Sequence, residues 1–254
     1  MDPDTIGRYL DRIGALQPSA TDATALRELQ RRHLEAVPFE NLSIHLGEGI
    51  VLAEDALVDK IVGRGRGGFC YELNGLFAAL LDGLGFDVSL HAASMFRDDG
   101  TLTPAFDHMA LLVELDERYL VDVGSGAHAV YPLRRDWPEA QEDPAGSFLV
   151  LDAGGRDVDV VMNGKPRYRA EARARRIADF VRPCWWHATS PESHFHDIAR
   201  CSRATETGRV SIIGDRLVET VDGERTETPL RSDAEVLAAY EKHFGIQLPR
   251  VPTC

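Results

Sequence analysis

Lysine is nearly missing from this chain: Lys60, Lys165 and Lys242 are the only three among 28 basic residues, which face 41 acidic ones for a net charge of −13. That balance excludes a general nucleic-acid or anionic-membrane surface and leaves room for a local basic pocket at most. Four cysteines, Cys70, Cys184, Cys201 and Cys254, are too few and too unevenly spaced for a disulfide scaffold, so each is by default a reduced thiol. No apolar run reaches the roughly 18 to 20 residues of a membrane span. The N-terminus MDPDTIGRYLDRIG is acidic where a signal peptide is basic and then apolar. A cytoplasmic protein is expected. Internal repeats and low-complexity linkers are also missing. What the chain has is length, 254 residues, and 44% hydrophobic residues, enough for two or three segments packed as one unit.

Periodicity divides the chain. Residues 1–87 read as helices: Asp22 caps a segment with Leu26, Leu29, Leu34 and Val37 at helical spacing, and Pro38 ends it. A second helix spans Ala53 to Val62. A third starts near Cys70 and stops at Gly85, with Phe86 available for the C-cap contact. From about Val88 the period becomes two, and VSLHAASMF, HMALLVEL, RYLVDV, SFLVL and DVDVVM predict the strands of a barrel or sandwich over 88–190. KPRYRAEARARR reads as a further strand with a solvated basic face. Over 191–254, Ser190-Pro191 predicts a helix start, RVSIIG with RLVETV a hairpin, and Ser232 with Glu235 a capping box before VLAAYEKHF. The fold class is α+β.

The most unusual stretch is GRGRGGFCYELNGLF, residues 63–77. Gly63, Gly65 and Gly68, with Asp87 downstream, fit a dinucleotide fingerprint, but that motif needs a preceding strand and DALVDKIV reads as helix. Cys70 instead stands where a glycine-rich turn meets the first turn of an apolar helix. There the helix amides, the macrodipole and nearby Arg66 favour a thiolate. A nucleophile and an inert buried cysteine are both open readings. A cysteine nucleophile wants a histidine base and an orienting carboxylate. His108 heads the strand HMALLVEL, and Asp122 lies amid apolar residues in LVDVG, where a carboxylate needs a partner or serves as a structural cap. With Asp116 and Glu117 as a two-residue turn, residues summing to 233 face each other and His108 points away from Asp122. Bringing them together requires a bulge, a longer turn or strong curvature. Cys184, His187, His194 and His196 are spaced C-x2-H-x6-H-x-H, which is not a standard zinc arrangement, so no metal is expected. Trp185, Trp186 and Phe195 among them read as packing or cleft-lining residues.

Taken together, VPFENLSI at 37–44, RGGFCYELNGLF at 66–77, FDHMALLV at 106–113 and YLVDVGSG at 119–126, with ADFVRPCWWHATSPESHF at 178–195, resemble the arylamine N-acetyltransferase family. The resemblance implies a helical bundle, an antiparallel β-barrel and an α/β lid with a papain-like Cys-His-Asp arrangement. It implies ping-pong transfer from acetyl-CoA to an aromatic amine or hydrazine, with Cys70 as nucleophile, His108 as base and Asp122 orienting it. Oxyanion donors would be backbone amides near Cys70. No permanently bound cofactor is implied. Phe39, Tyr71, Ser125, His194 and Phe195 would contact the acceptor, Gly124 and Gly126 would approach the CoA phosphates, and Glu40 with Arg66 would brace the cysteine loop. The family commonly has phenylalanine at Ser125, so the pocket is expected to be roomier and to lose stacking surface. That departure, with little sequence beyond the lid, keeps open an ansamycin-type amide synthase taking a polyketide thioester from an acyl carrier protein. A cysteine hydrolase and a non-catalytic binding module are further alternatives. Cys184, Cys201 and Cys254 are expected to be unreactive.

Overall fold

The computed structural model describes residues 1–253; Cys254 lies outside the described residues. The chain opens with α1 (Pro3–Ile13), whose N-cap Asp2 accepts from Thr5 N at 3.0 Å and whose buried stripe is Ile6, Tyr9, Leu10 and Ile13. In α2 (Ala23–Ala36) Asp22 accepts from Ala25 N at 2.8 Å, the cap its position predicts. Next come β1 (Phe39–Glu40), α3 (Leu42–Leu46) and α4 (Glu54–Leu57). The helix expected to Val62 widens after Leu57 into a π-turn, Val58–Gly63. α5 (Cys70–Gly83) is the centre of the bundle, with Leu73, Leu76, Phe77, Leu80 and Leu81 all buried. It ends as expected at Gly85 (φ +92), where Phe86 N reaches back to Leu81 O at 3.0 Å.

The period-two segments form β2 (Asp87–Met95), β3 (His108–Glu114), β4 (Arg118–Val121), β5 (Leu133–Arg134), β6 (Gln141–Asp143), β7 (Gly146–Gly154), β8 (Asp157–Met162) and β9 (Lys165–Arg175). They make one antiparallel sheet in the order β5-β4-β3-β2-β9-β8-β7-β6, wrapped into a nearly closed barrel. Its two edge strands are joined by a side chain: Gln141 accepts from Arg134 N at 2.7 Å and donates to Arg134 O at 3.0 Å. Such a link protects edges that would otherwise present unpaired backbone groups. Phe148, Val160 and Tyr168 fill the interior, while α5 packs on the outer face of β2 and β3.

The remaining elements are α6 (Val181–Thr189), β10 (Arg200–Thr205), β11 (Gly208–Ile213), β12 (Arg216–Val221), β13 (Glu224–Pro229) and α7 (Asp233–Phe244). Ser190 therefore closes a helix and does not start one. The start lies upstream because Pro183 sits in the first turn of α6, where a missing N–H costs nothing. The expected hairpin is β11–β12, and Ser232 Oγ caps α7 by accepting from Glu235 N at 3.3 Å. The second sheet runs β1-β10-β11-β12-β13, so its first strand comes from the N-terminal helical region. β1 also bridges to Gly68, which ties the cysteine loop to this sheet.

Candidate active site

The loop before Cys70 is held by charge matching in a dry setting. Arg66 Nε meets Glu40 Oε1 at 2.9 Å and Lys60 Nζ meets Glu72 Oε1 at 2.7 Å, with all four side chains buried. The second oxygens are used too: Glu40 accepts from Leu42 N at 2.7 Å and Glu72 from Phe69 N at 3.1 Å. Burial pushes both carboxyls up. For Glu40 the cations Lys60 and Arg66 outweigh burial and its pKa is lowered, whereas Glu72 stays raised. Close packing explains the glycine pair: a Cβ on Gly67 would lie 1.9 Å from Pro38 O and one on Gly68 2.7 Å from Glu72 Oε2. Cys70 follows as the first residue of α5 and is buried.

His108 and Asp122 reach each other through a change of register. β3 and β4 pair Leu111 with Val121 and Glu114 with Arg118, so the connection is a three-residue loop in which Leu115 N donates to Glu117 O at 3.0 Å. A two-residue turn would have put the side chains on opposite faces; one more loop residue puts them on the same face. His108 Nε2 lies 2.8 Å from Asp122 Oδ2. Asp122 Oδ1 accepts from Asn74 Nδ2 and from Gly124 N, each at 2.9 Å. Burial would raise the Asp122 pKa, but His108, His128 and Asn74 hold it down at about 2. Burial opposes charging of His108 as well, yet Asp122 outweighs it and a hydrogen bond with Cys70 adds to the effect, so the imidazole pKa is raised well above its ordinary value. An imidazolium beside Cys70 is the counter-ion a thiolate needs. The fit leaves no slack: a Cβ on Gly124 would meet Cys70 Cα at 2.6 Å.

These groups open on a cleft of about 570 Å³ between the barrel and the second sheet. Phe39, Ser125, Gly124, Gly126, His194 and Phe195 line it together with Cys70 and His108. Tyr71 does not. It is fully buried, packed against Phe69 and Phe180, and its hydroxyl donates to Phe106 O at 2.6 Å. The arrangement expected of Glu40 and Arg66 is the buried pair behind the loop. His187, weighed above as a metal ligand, has both ring nitrogens engaged, with Ser193 Oγ at 2.9 Å and Asp107 Oδ1 at 3.1 Å. Among the described residues no three histidine, cysteine or acidic side chains converge on a metal position. Burial pushes the thiols of Cys184 and Cys201 up, Cys201 strongly.

Several site groups escaped the sequence reading. Asn74, which bridges Asp122 to Met109 O, stands one helical turn after Cys70, and that spacing was its only signal. On the second sheet Arg209, Thr220 and Arg225 are direct cross-strand neighbours on three strands, and all three line the cleft. Arg209 donates to Ser202 Oγ at 2.9 Å, and among the described residues no carboxylate lies within ion-pair distance of it. Burial alone lowers its pKa to about 10. With Arg167 and Arg200, four arginines face two aspartates in the cleft of a strongly acidic chain.

A helical bundle that presents a cysteine at the start of its buried helix, against an antiparallel barrel, defines the papain-like class of folds. A family model described as N-acetyltransferase matches residues 22–252. The arylamine N-acetyltransferase of Mycolicibacterium smegmatis is 33% identical, the alignment covering 96% of this chain and 92% of the relative. Among solved structures, that of Salmonella typhimurium arylamine N-acetyltransferase superposes with a TM-score of 0.90 at 27% identity, covering 97% of this chain and 92% of the other. A structure of the Mycobacterium marinum enzyme in complex with CoA superposes with a TM-score of 0.86 at 30% identity, covering 95% and 92%. The chain belongs to the arylamine N-acetyltransferase family and is an enzyme.

Proposed function

We propose that the protein is a cytoplasmic acetyltransferase that carries an acetyl group from acetyl-CoA, through a thioester on Cys70, to the nitrogen of an aromatic amine or hydrazine. The observation that carries the reading is the hydrogen-bonded series Cys70, His108 and Asp122 at one end of the cleft. In the first half-reaction Cys70 Sγ attacks the thioester carbonyl carbon, the carbon–sulfur bond to CoA breaks, and His108 returns a proton to the departing thiolate. In the second, the amine nitrogen attacks the acetyl carbon, its proton passes to His108, and Sγ leaves. Asp122 keeps the imidazole oriented and stabilises its charged form.

The donor's phosphates fit the other end. At about 4.8 Å per strand, the row from Arg209 to Arg225 lies roughly 10 to 19 Å across the sheet from the Phe39 edge beside Cys70. CoA likewise has an extended pantetheine arm between its thiol and its phosphates. Gly124, against Cys70, and Gly126, against Phe39, line the cleft at the Cys70 end, and we assign donor contact to that turn as well. Phe39 and Phe195, with ring centroids 6.3 Å apart, provide the aromatic wall for the acceptor, with His194 stacked at 4.2 Å on Phe195. The relatives named above are all arylamine N-acetyltransferases, and the amide-synthase, hydrolase and binding-module readings draw no such support.

The test is intact-protein mass spectrometry after brief mixing with acetyl-CoA. An acetyl adduct that is absent in Cys70→Ala and is discharged by an added arylamine is expected. An adduct that forms from a carrier-bound acyl thioester and not from acetyl-CoA would move the assignment to the amide synthase, and continued CoA release beyond one equivalent per enzyme without any amine would move it to a hydrolase.

A further inference from the structure

Asp107 precedes His108 in the chain and lines the same cleft. It is delivered by Phe106, a non-glycine residue at φ +67. A bulky side chain adopts that left-handed conformation only where its surroundings impose it. Here the Phe106 carbonyl is held by the Tyr71 hydroxyl at 2.6 Å, its ring packs edge-on against Phe180 at 5.3 Å, and the Arg175 guanidinium lies 4.8 Å over it.

The Asp107 carboxylate is held as firmly as its backbone. His187 Nε2 is 3.1 Å from Oδ1, and the Thr103 hydroxyl donates to the same carboxylate. His187 Nδ1 in turn contacts Ser193 Oγ at 2.9 Å, and that oxygen accepts from Phe195 N at 3.3 Å. The ring donates from Nε2 to the Asp107 carboxylate, and Ser193 Oγ, which can accept twice and donate once, satisfies Nδ1. Burial would push this carboxyl up, but the hydrogen bonds from His187 and Thr103 outweigh it and keep it ionised. Its side chain is 9% exposed, and what remains open faces the cleft. Ser125 contributes no ring to the same pocket.

We infer that Asp107 selects the acceptor: the acyl-enzyme favours nitrogen nucleophiles with further N–H or cationic groups next to the attacking nitrogen, as in hydrazides, and rejects arylamines with a carboxylate there. This rests on the acetyltransferase reading above. The acceptor arrives after CoA has left, and this carboxylate lines the cleft it enters together with Cys70 and His108. An N–H group can donate to this carboxylate; a second carboxylate would be buried against it.

The experiment loads the enzyme with acetyl-CoA, removes CoA by gel filtration, and follows discharge of acetyl-Cys70 by quenched-flow mass spectrometry. The acceptors are benzhydrazide, aniline, 2-aminobenzoate and methyl 2-aminobenzoate. In the wild-type enzyme the methyl ester should outrun the free acid by about tenfold although it is the weaker nucleophile, the size expected from one like-charge contact at the cleft wall. Asp107→Asn should erase that ratio and slow benzhydrazide relative to aniline by about the same factor. Asp107→Glu should keep the wild-type order. If the free acid is discharged as fast as its ester in the wild-type enzyme, or if Asp107→Asn slows all four acceptors equally, the selection role is overturned. If acetyl-Cys70 never forms, the acetyltransferase reading fails first and the inference with it.

Discussion

At the Cys70 end of the cleft every charge has a partner: Arg66 meets Glu40, Lys60 meets Glu72, His108 meets Asp122, and Asp107 meets His187. At the other end Arg209 is half-buried, has a serine hydroxyl as its partner, and has its pKa lowered by burial. The first region is complete without substrate, with dipoles and charges fixed before chemistry begins, which is the condition under which electrostatic stabilisation costs no reorganisation. The second is a desolvated cation that becomes favourable when an anion is bound. Folding alone does not account for Arg209, because an uncompensated buried charge costs stability. The proposed contact with the donor's phosphates would supply the missing partner.

The largest effects should come from breaking the matched end. Cys70→Ala should leave no acetyl adduct, and Asp122→Asn should slow acylation by about 10⁴-fold, the scale seen when a base loses its orienting carboxylate. The sign of the accompanying titration follows from the structure. With Asp122 gone, burial is the main influence left on His108, so its pKa should fall from well above 6.5 to below it, as read by NMR of the imidazole nitrogens. A His108 that still titrates high in that variant would mean another group supplies the field. Next in size is Arg66→Met, which strands Glu40 as a buried charge and should cost about 3 to 5 kcal/mol in urea unfolding.

Arg209→Leu tests the other end and should separate function from stability. The KM for acetyl-CoA should rise about 10- to 100-fold, the worth of a charge-assisted phosphate contact. The melting temperature should hold or rise, because a desolvated cation is replaced by an apolar side chain. Acylation by p-nitrophenyl acetate, which has no phosphates, should be unaffected. A variant that loses stability and keeps its KM would make Arg209 a structural residue and remove the contrast between the two ends.

The two ends were also unequally legible in the sequence. R-G-G-x-C at the start of an apolar helix placed Cys70, and each glycine answers to a local contact. His108 and Asp122 could be named, but their meeting could not be derived, because it turns on whether the loop after Glu114 has two residues or three. That loop length is set by barrel packing, and no turn residue announces it. The cleft face of the second sheet was opaque for a different reason. β1 is only two residues long, and Arg209 and Arg225 become neighbours of Thr220 through pairing across three strands, which leaves no fixed spacing to read. Tyr71 shows the converse: it stands in the motif beside Cys70, yet helix geometry turns it into the core. Asp107 lies within FDHMALLV, but nothing in sequence marks the left-handed backbone at Phe106.

The smallest expected effect sharpens the comparison within the far end itself. Arg225 stands in the same cross-strand row as Arg209, but its side chain is 61% exposed and it pairs with Glu227 at 2.7 Å. Water and Glu227 already compensate its charge, so a phosphate gains little by replacing them. Arg225→Ala should therefore raise the KM for acetyl-CoA by less than about threefold near physiological salt. The change should grow as ionic strength is lowered and the Debye length extends from about 8 Å towards 30 Å. The effect of Arg209→Leu should be far less dependent on salt, because a half-buried charge is screened less. Equal salt dependence in the two variants would show that both arginines act only through the long-range field of the cleft, and that burial of Arg209 gives it no direct hold on the donor.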